Sequence, residues 1–222
     1  MRKIIYIFII LSSFFNFAYT LTDIETKFLK SCEEGKYDTV AALISKKVNV
    51  NVLSEDGVTG LMLASHHGHK AVVRLLINSY ADVNIADKVG YTALIMAATG
   101  GHIDIVKILI KANANLNVRN NYGETALHVA SYGLHSDIVQ TLINNKADVN
   151  AVNNDGYNAL VMVFMSADKS ENMLPVAKIL CDNGVNVNNK DRNGRTVLTY
   201  VKNHYKKPES LIEFLSSYGA TE

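Results

Sequence analysis

Histidine supplies the first chemistry that this chain could offer. His66, His67 and His69 lie together in the stretch SHHGHK, and neutral imidazole is a common zinc ligand. A structural zinc site needs four N, S or carboxylate ligands. No cysteine or carboxylate stands at ligand spacing from the pair His66 and His67, and His69 belongs to another pattern, since His102 and His135 follow it at steps of 33 residues. The two thiols are Cys32 and Cys181. A nucleophilic thiol or hydroxyl needs a base beside it and a third group to orient that base. No Ser/His/Asp or Cys/His arrangement of that kind stands out, so catalysis is not expected. The glycines are no better as phosphate binders. Gly57, Gly90, Gly123 and Gly156 recur singly, without the GKS or GKT that opens a phosphate-binding helix, and suit turns that need positive φ.

The elements that would hold these residues are clearest in Asp87 to Asn117, DKVGYTALIMAATGGHIDIVKILIKANANLN. Thr92 can cap a short helix whose apolar side is Ala93, Leu94, Ala97 and Ala98, small enough for a neighbouring helix to come close. Gly100 and Gly101 end it. His102 and Asp104 open a second helix, with the acid facing the positive end of the helix dipole, and Ile105, Val106, Ile108, Leu109 and Ile110 make its apolar stripe. Asn113 to Asn117 turns the chain back.

A shift of 33 residues meets like residues each time: Gly57, Gly90, Gly123 and Gly156, then Leu61, Leu94, Leu127 and Leu160, then Asn51, Asn84, Asn117 and Asn150. Turn, helix, turn, helix at this period is a repeat signature, and from Leu21 to Ala220 the chain resembles the ankyrin-repeat family. The resemblance implies an all-α solenoid of stacked helix pairs joined by β-hairpin turns. It also implies a structural bond from His69, His102 and His135 to backbone. The family's T-P-L-H motif is imperfect here: Gly60, Ala93, Ala126, Ala159 and Val197 replace proline, and only His128 keeps the histidine, which puts the hydrogen bonds attributed to that histidine in doubt. After the second helix the family favours a left-handed glycine, where this chain has Tyr80, Asn113, Lys146 and Gly184.

The expected organisation follows from the register. Residues 21–53 form an N-terminal cap without a hairpin; 54–86, 87–119 and 120–152 are regular repeats; 153–190 is a repeat with a five-residue insertion within 167–172; 191–220 is a C-terminal cap repeat. In the fourth unit Asn158 takes the place of the capping threonine, and Val163 and Phe164 that of Ala97 and Ala98. Helix layers stack at about 10 Å, so Cys32 and Cys181, four layers apart, are too distant for a disulfide, which needs Cα atoms within about 7 Å.

Ahead of the array, MRKIIYIFIILSSFFNFAYT has Arg2 and Lys3 before an apolar run, the pattern of a secretory signal peptide over residues 1–20. The formal charge is +1, and removing Arg2 and Lys3 leaves 22 − 2 = 20 basic against 21 acidic residues. That balance argues against nucleic acid as a partner.

By resemblance the function is non-catalytic protein binding by an exported, periplasmic or secreted, bacterial monomer that needs no cofactor and does not insert in a membrane after leader removal. The partner-binding residues implied are Glu55, Asp56, Val58, His66 and His67 in the first regular repeat, and Lys88, Val89, Tyr91 and Thr99 in the second. The third contributes Asn121, Tyr122, Glu124 and Tyr132, and the fourth Asn154, Asp155, Tyr157 and Met165. Tyrosine suits such a surface because it buries a large ring and keeps a hydroxyl; the alternative is that the tyrosines pack on adjacent hairpins and stiffen the stack. Two other functions stay open: an envelope stress or metal-handling protein using His66 and His67, and a membrane-tethered scaffold that keeps its leader.

Overall fold

The computed structural model describes residues 21–166, 173–204 and 209–221, so the leader over 1–20 and the inserted turn over 167–172 lie outside the described residues. Among the described residues twelve helices follow one another in pairs: α1 Asp23–Glu33 and α2 Tyr37–Ser45, α3 Gly60–His66 and α4 Lys70–Asn78, α5 Ala93–Thr99 and α6 Ile103–Lys111, α7 Ala126–Tyr132 and α8 Ser136–Asn144, α9 Ala159–Met165 and α10 Met173–Asp182, α11 Val197–His204 and α12 Glu209–Ser217. No strand longer than an isolated bridge occurs among them. Three such bridges, Leu53 to Thr59, Ala86 to Thr92 and Val152 to Asn158, close the hairpins that lead into α3, α5 and α9.

Capping residues set where the first helices start. The side chains of Thr59, Thr92 and Asn158 accept from the amides of Met62, Ile95 and Val161, each satisfying a donor that a helix start leaves free. Their inner faces are small: Ala64, Ala97, Ala98 and Ala130 are fully buried. The fourth unit buries Val163 and Phe164 instead. Each second helix is buried along one stripe, Val72, Val73 and Leu76 in α4, Ile105, Val106 and Leu109 in α6, Ile138, Val139 and Leu142 in α8, and each such aliphatic side chain contributes roughly 1.5–3 kcal/mol.

Two ladders of hydrogen bonds run along the stack. On the hairpin side the amides of Lys88, Asn121, Asn154 and Arg192 donate to the carbonyls of Asp56, Val89, Tyr122 and Asp155 in the preceding hairpin, at 2.8–3.0 Å. In the turns just ahead of the hairpins the repeated asparagines accept across the same step: Asp82 N–H donates to Asn51 Oδ1, Asn115 to Asn84, Asp148 to Asn117 and Asn186 to Asn150. The first three of these bonds join residues 31 apart in sequence, and the last joins residues 36 apart. The five extra residues are therefore excluded from the ladder, whose register passes the insertion unchanged.

Helix ends show where the expected turn chemistry holds. Tyr80 (φ 65°), Asn113 (63°), Lys146 (70°) and Gly184 (80°) are all left-handed, and so is Lys47 (65°) in the cap. The turn inside each pair carries an unexpected feature. Gly35, Gly68 and Gly101 have positive φ there, but in the third regular repeat the position is held by Leu134 at φ 56°. The reason lies one unit on. A Cβ at Gly35, Gly68 or Gly101 would come within 2.5–2.7 Å of the ring of His69, His102 or His135 respectively, so those positions admit no side chain. The unit after Leu134 has Asp168 at 33 residues beyond His135, and Met173 at 38. With no histidine at either position, the leucine is admitted and buried, 7% exposed.

Candidate functional site

Each hairpin is organised by the side chain at its first position. Oδ1 of Asp87 accepts from the amides of Val89 and Tyr91; Asn120, Asn153 and Asp191 do the same for Tyr122 and Glu124, Asp155 and Tyr157, and Asn193 and Arg195. In the first hairpin Ser54 Oγ holds only the amide of Val58. With the tip amides held by these oxygens and by the inter-hairpin ladder, the tip side chains other than Asn121 and Asn154 are not needed to hold the backbone.

The residues singled out in the sequence fall as follows. Glu55, Asp56, His66, His67, Lys88, Thr99, Asn121, Asn154 and Asp155 are exposed, while Val58, Tyr91, Glu124 and Tyr157 are half-buried. Large apolar groups are uncovered at Val89 (39%), Tyr122 (58%), Tyr132 (43%) and Met165 (38%). Asn121 and Asn154 also serve the scaffold, donating through Nδ2 to the carbonyls of Lys88 and Asn121. Tyr157 is drawn inward: its ring meets Tyr200 edge-on at 5.7 Å, and Arg195 Nη2 reaches its hydroxyl at 3.5 Å. Between the second and fourth units lies a hollow of about 420 Å³, lined by Tyr91, Thr99, Glu124, Val129, Tyr132 and Met162 among others. Val129 and Met162 were not foreseen as part of this surface.

The histidines divide as the repeat step implied. The Nε2–H groups of His69 and His102 donate to the carbonyls of Glu33 and His66 in the preceding unit, at 2.7 and 2.8 Å. Buried His128 accepts the Thr125 amide at Nδ1 and donates from Nε2 to the Tyr157 carbonyl, and burial holds its imidazole below the ordinary value. The motif histidine therefore makes its inter-unit bond in the one repeat that keeps it. In the first repeat Met62 Sδ takes the Thr59 amide instead.

His66 and His67 sit with ring centroids 5.0 Å apart, and the Glu33 carboxylate from the cap comes to 3.9 Å of His67 Nε2, an approach the linear spacing does not reveal. Among the described residues no three His, Cys, Asp or Glu side chains are grouped to hold a metal ion. Both thiols are free and buried, and burial pushes Cys32 up to about 12 and Cys181 to about 11, far from the thiolate that nucleophilic chemistry needs. Asp191 is the opposite case. Burial would raise its carboxyl, but bonds from the Tyr200 hydroxyl, the Arg195 backbone and guanidinium, and the Asn193 amide outweigh it and hold the group at about 2. Those partners all lie in the last unit, so this carboxylate is a structural clasp.

A family model described as ankyrin repeats (3 copies) matches residues 28–120, 81–153, 109–191 and 133–221. The chain belongs to the ankyrin-repeat family. Among solved structures it is similar to the crystal structure of an ankyrin repeat domain from Acinetobacter baumannii AYE, with 27% identity over 87% of this chain and 98% of that one and a TM-score of 0.78. A search of curated proteins finds no match. Ankyrin repeats are generally protein–protein interaction modules and typically non-catalytic, a role that follows from a stack in which every repeat adds one layer to a continuous surface. No helix among the described residues of this ankyrin-repeat chain is long and apolar enough to cross a membrane.

Proposed function

We propose that this ankyrin-repeat protein is an exported, non-catalytic binding module that recognises a protein partner through its hairpin tips and the adjoining faces of α3, α5, α7 and α9. The observation that carries the proposal is the uncovered set Val89, Tyr122, Tyr132 and Met165, which spans three consecutive units on that one side. Large aromatic and thioether side chains left in solvent are enriched at binding surfaces, and the tip backbone is satisfied without them. Export rests on the basic and apolar leader.

The test begins with the full chain expressed in a bacterium and recovered from outside the cytoplasm. Its mass should correspond to loss of about 20 residues; a mass that retains the leader points to a tethered scaffold. The same preparation then serves as bait, and the captured protein is titrated against variants. Replacing Tyr122 and Tyr132 together by alanine should weaken binding more than about tenfold with an unchanged unfolding midpoint. Tyr157→Ala should lower the midpoint, because that ring is packed on Tyr200. Affinity untouched by the Tyr122 and Tyr132 changes would remove this surface from consideration.

A further inference from the structure

The hollow on the hairpin side combines two kinds of group seldom left open together. Tyr91 and Tyr132 supply aromatic surface from adjacent units, Val129 and Met162 an apolar floor, and Glu124 a carboxylate. Glu124 is fixed. Its Oε2 accepts from Asn120 Nδ2 at 2.9 Å, while its backbone amide donates to Asn120 Oδ1. No bond to Oε1 is formed among the described residues. Tyr91 feels this charge: burial raises its phenol, and the Glu124 carboxylate raises it further. The exposed tips around it carry both signs, so the charge that marks the hollow is Glu124 itself. Glu55, Asp56 and Asp155 are exposed there, and so are Lys88 and Arg192. Arg195 is paired with the Asp191 carboxylate and Arg119 donates to the Val152 carbonyl, and among the described residues neither forms a bond with Glu124.

We infer that this hollow is a subsite for a cationic side chain, an arginine or lysine of the partner, seated between Tyr91 and Tyr132 with its charge toward Glu124. A cation over a tyrosine face is attracted by the ring quadrupole, and the attraction grows as water is excluded. The aliphatic stem of arginine or lysine matches a floor of Val129 and Met162. A carboxylate with one oxygen already anchored presents the other in a fixed direction, which favours a charge-assisted bond. An acidic or wholly apolar side chain would leave Glu124 facing a like charge or no partner in a partly dehydrated site, and would be rejected. This inference rests on the hairpin-side surface being the binding surface.

A peptide library displayed on phage and panned against the purified full chain tests the inference without knowledge of the natural partner. Recovered peptides should be enriched in arginine or lysine at one position, and argininamide should displace them where leucinamide does not. Glu124→Gln keeps an oxygen for Asn120 and should weaken these peptides by about tenfold, Glu55→Gln by far less. Tyr132→Phe should retain binding and Tyr132→Leu lose it, because only the former keeps the ring face. All variants are checked for an unchanged unfolding midpoint. Peptides that bind and are lost on Tyr122→Ala, but show neither basic enrichment nor sensitivity to Glu124→Gln, overturn the cation subsite and leave the binding surface in place. Failure to recover any peptide sensitive to Tyr122→Ala or Tyr132→Ala removes both.

Discussion

Leu134 and Lys146 share a left-handed backbone, φ 56° and 70°, and differ in burial. Replacing each by glycine should therefore change stability with opposite sign. A non-glycine residue in this region is strained by about 1–2 kcal/mol. Glycine relieves that strain and also enlarges the freedom of the unfolded chain, which takes back about 0.4–1 kcal/mol. For exposed Lys146, and for Tyr80 at φ 65° and 90% exposed, nothing else is lost, so Lys146→Gly and Tyr80→Gly should each stabilise by about 0.5–1 kcal/mol. Leu134 is 7% exposed and packs into the core. Deleting a buried leucine side chain costs about 2–5 kcal/mol, so Leu134→Gly should be destabilising by about 2 kcal/mol after the relief is credited. Urea unfolding followed by circular dichroism measures this directly. With a slope of about 2 kcal/mol per molar, the midpoint should rise by about 0.3 M for Lys146→Gly and fall by about 1 M for Leu134→Gly. Equal slopes are required, because a repeat array can lose two-state behaviour. A raised midpoint for Leu134→Gly, or a lowered one for Lys146→Gly, would refute the assignment of strain and burial to these turns.

Further expectations concern single buried groups. Ser65 and Ser131 bury hydroxyls without a hydrogen-bond partner at a position where the second regular repeat has Ala98, so Ser65→Ala and Ser131→Ala should each raise the unfolding midpoint by an amount equivalent to about 1 kcal/mol. Gly60→Ala should destabilise in spite of alanine's better helix propensity, since a Cβ there would stand 2.8 Å from Cys32 Sγ and 3.1 Å from Phe28; combining it with Cys32→Ala should recover part of the loss, as a double-mutant cycle would measure. The depressed carboxyl of Asp191 contributes stability that is full above its ordinary pKa of 3.8 and is lost as the pH falls through about 2. Asp191→Asn keeps the turn, as Asn120 and Asn153 do, so its midpoint should fall less steeply than that of the natural chain between those two pH values.

The sequence made the period, the helix pairs and their caps legible because each depends on a residue type at a fixed step: a threonine before a first helix, a glycine where φ is positive, an aliphatic stripe of three or four. Relations between units were less visible. The recurring asparagines were apparent, yet their work as acceptors for the next unit's backbone depends on a spatial step that no linear spacing displays. Leu134 stands where three other units have glycine, and what explains it is the absence of a histidine at the equivalent positions of the following unit, Asp168 and Met173. On the candidate surface most of the positions named from the sequence are exposed, while Val58, Tyr91, Glu124 and Tyr157 are half-buried. Tyr157 differs because Tyr200 and Arg195 of the next unit meet its ring and hydroxyl. Val129 and Met162 escaped notice because a half-buried valine and a buried methionine on first helices read as core until the adjacent tyrosines leave space above them.

The two hydrogen-bond ladders have a genetic consequence. Their bonds join equivalent atoms one unit apart, so loss or duplication of a complete 33-residue segment restores every bond with a new neighbour, whereas a deletion of one or two residues inside a hairpin would misalign all rungs on one side. Length in this chain is accordingly quantised. The five extra residues of the fourth unit leave its rung intact, since Asn186 still donates to Asn150. Unequal recombination between copies would enlarge or shorten the recognition face in whole layers, and point substitutions at tip positions other than Asn121 and Asn154, which bond the preceding hairpin, would then redraw its chemistry without disturbing what holds the layers together.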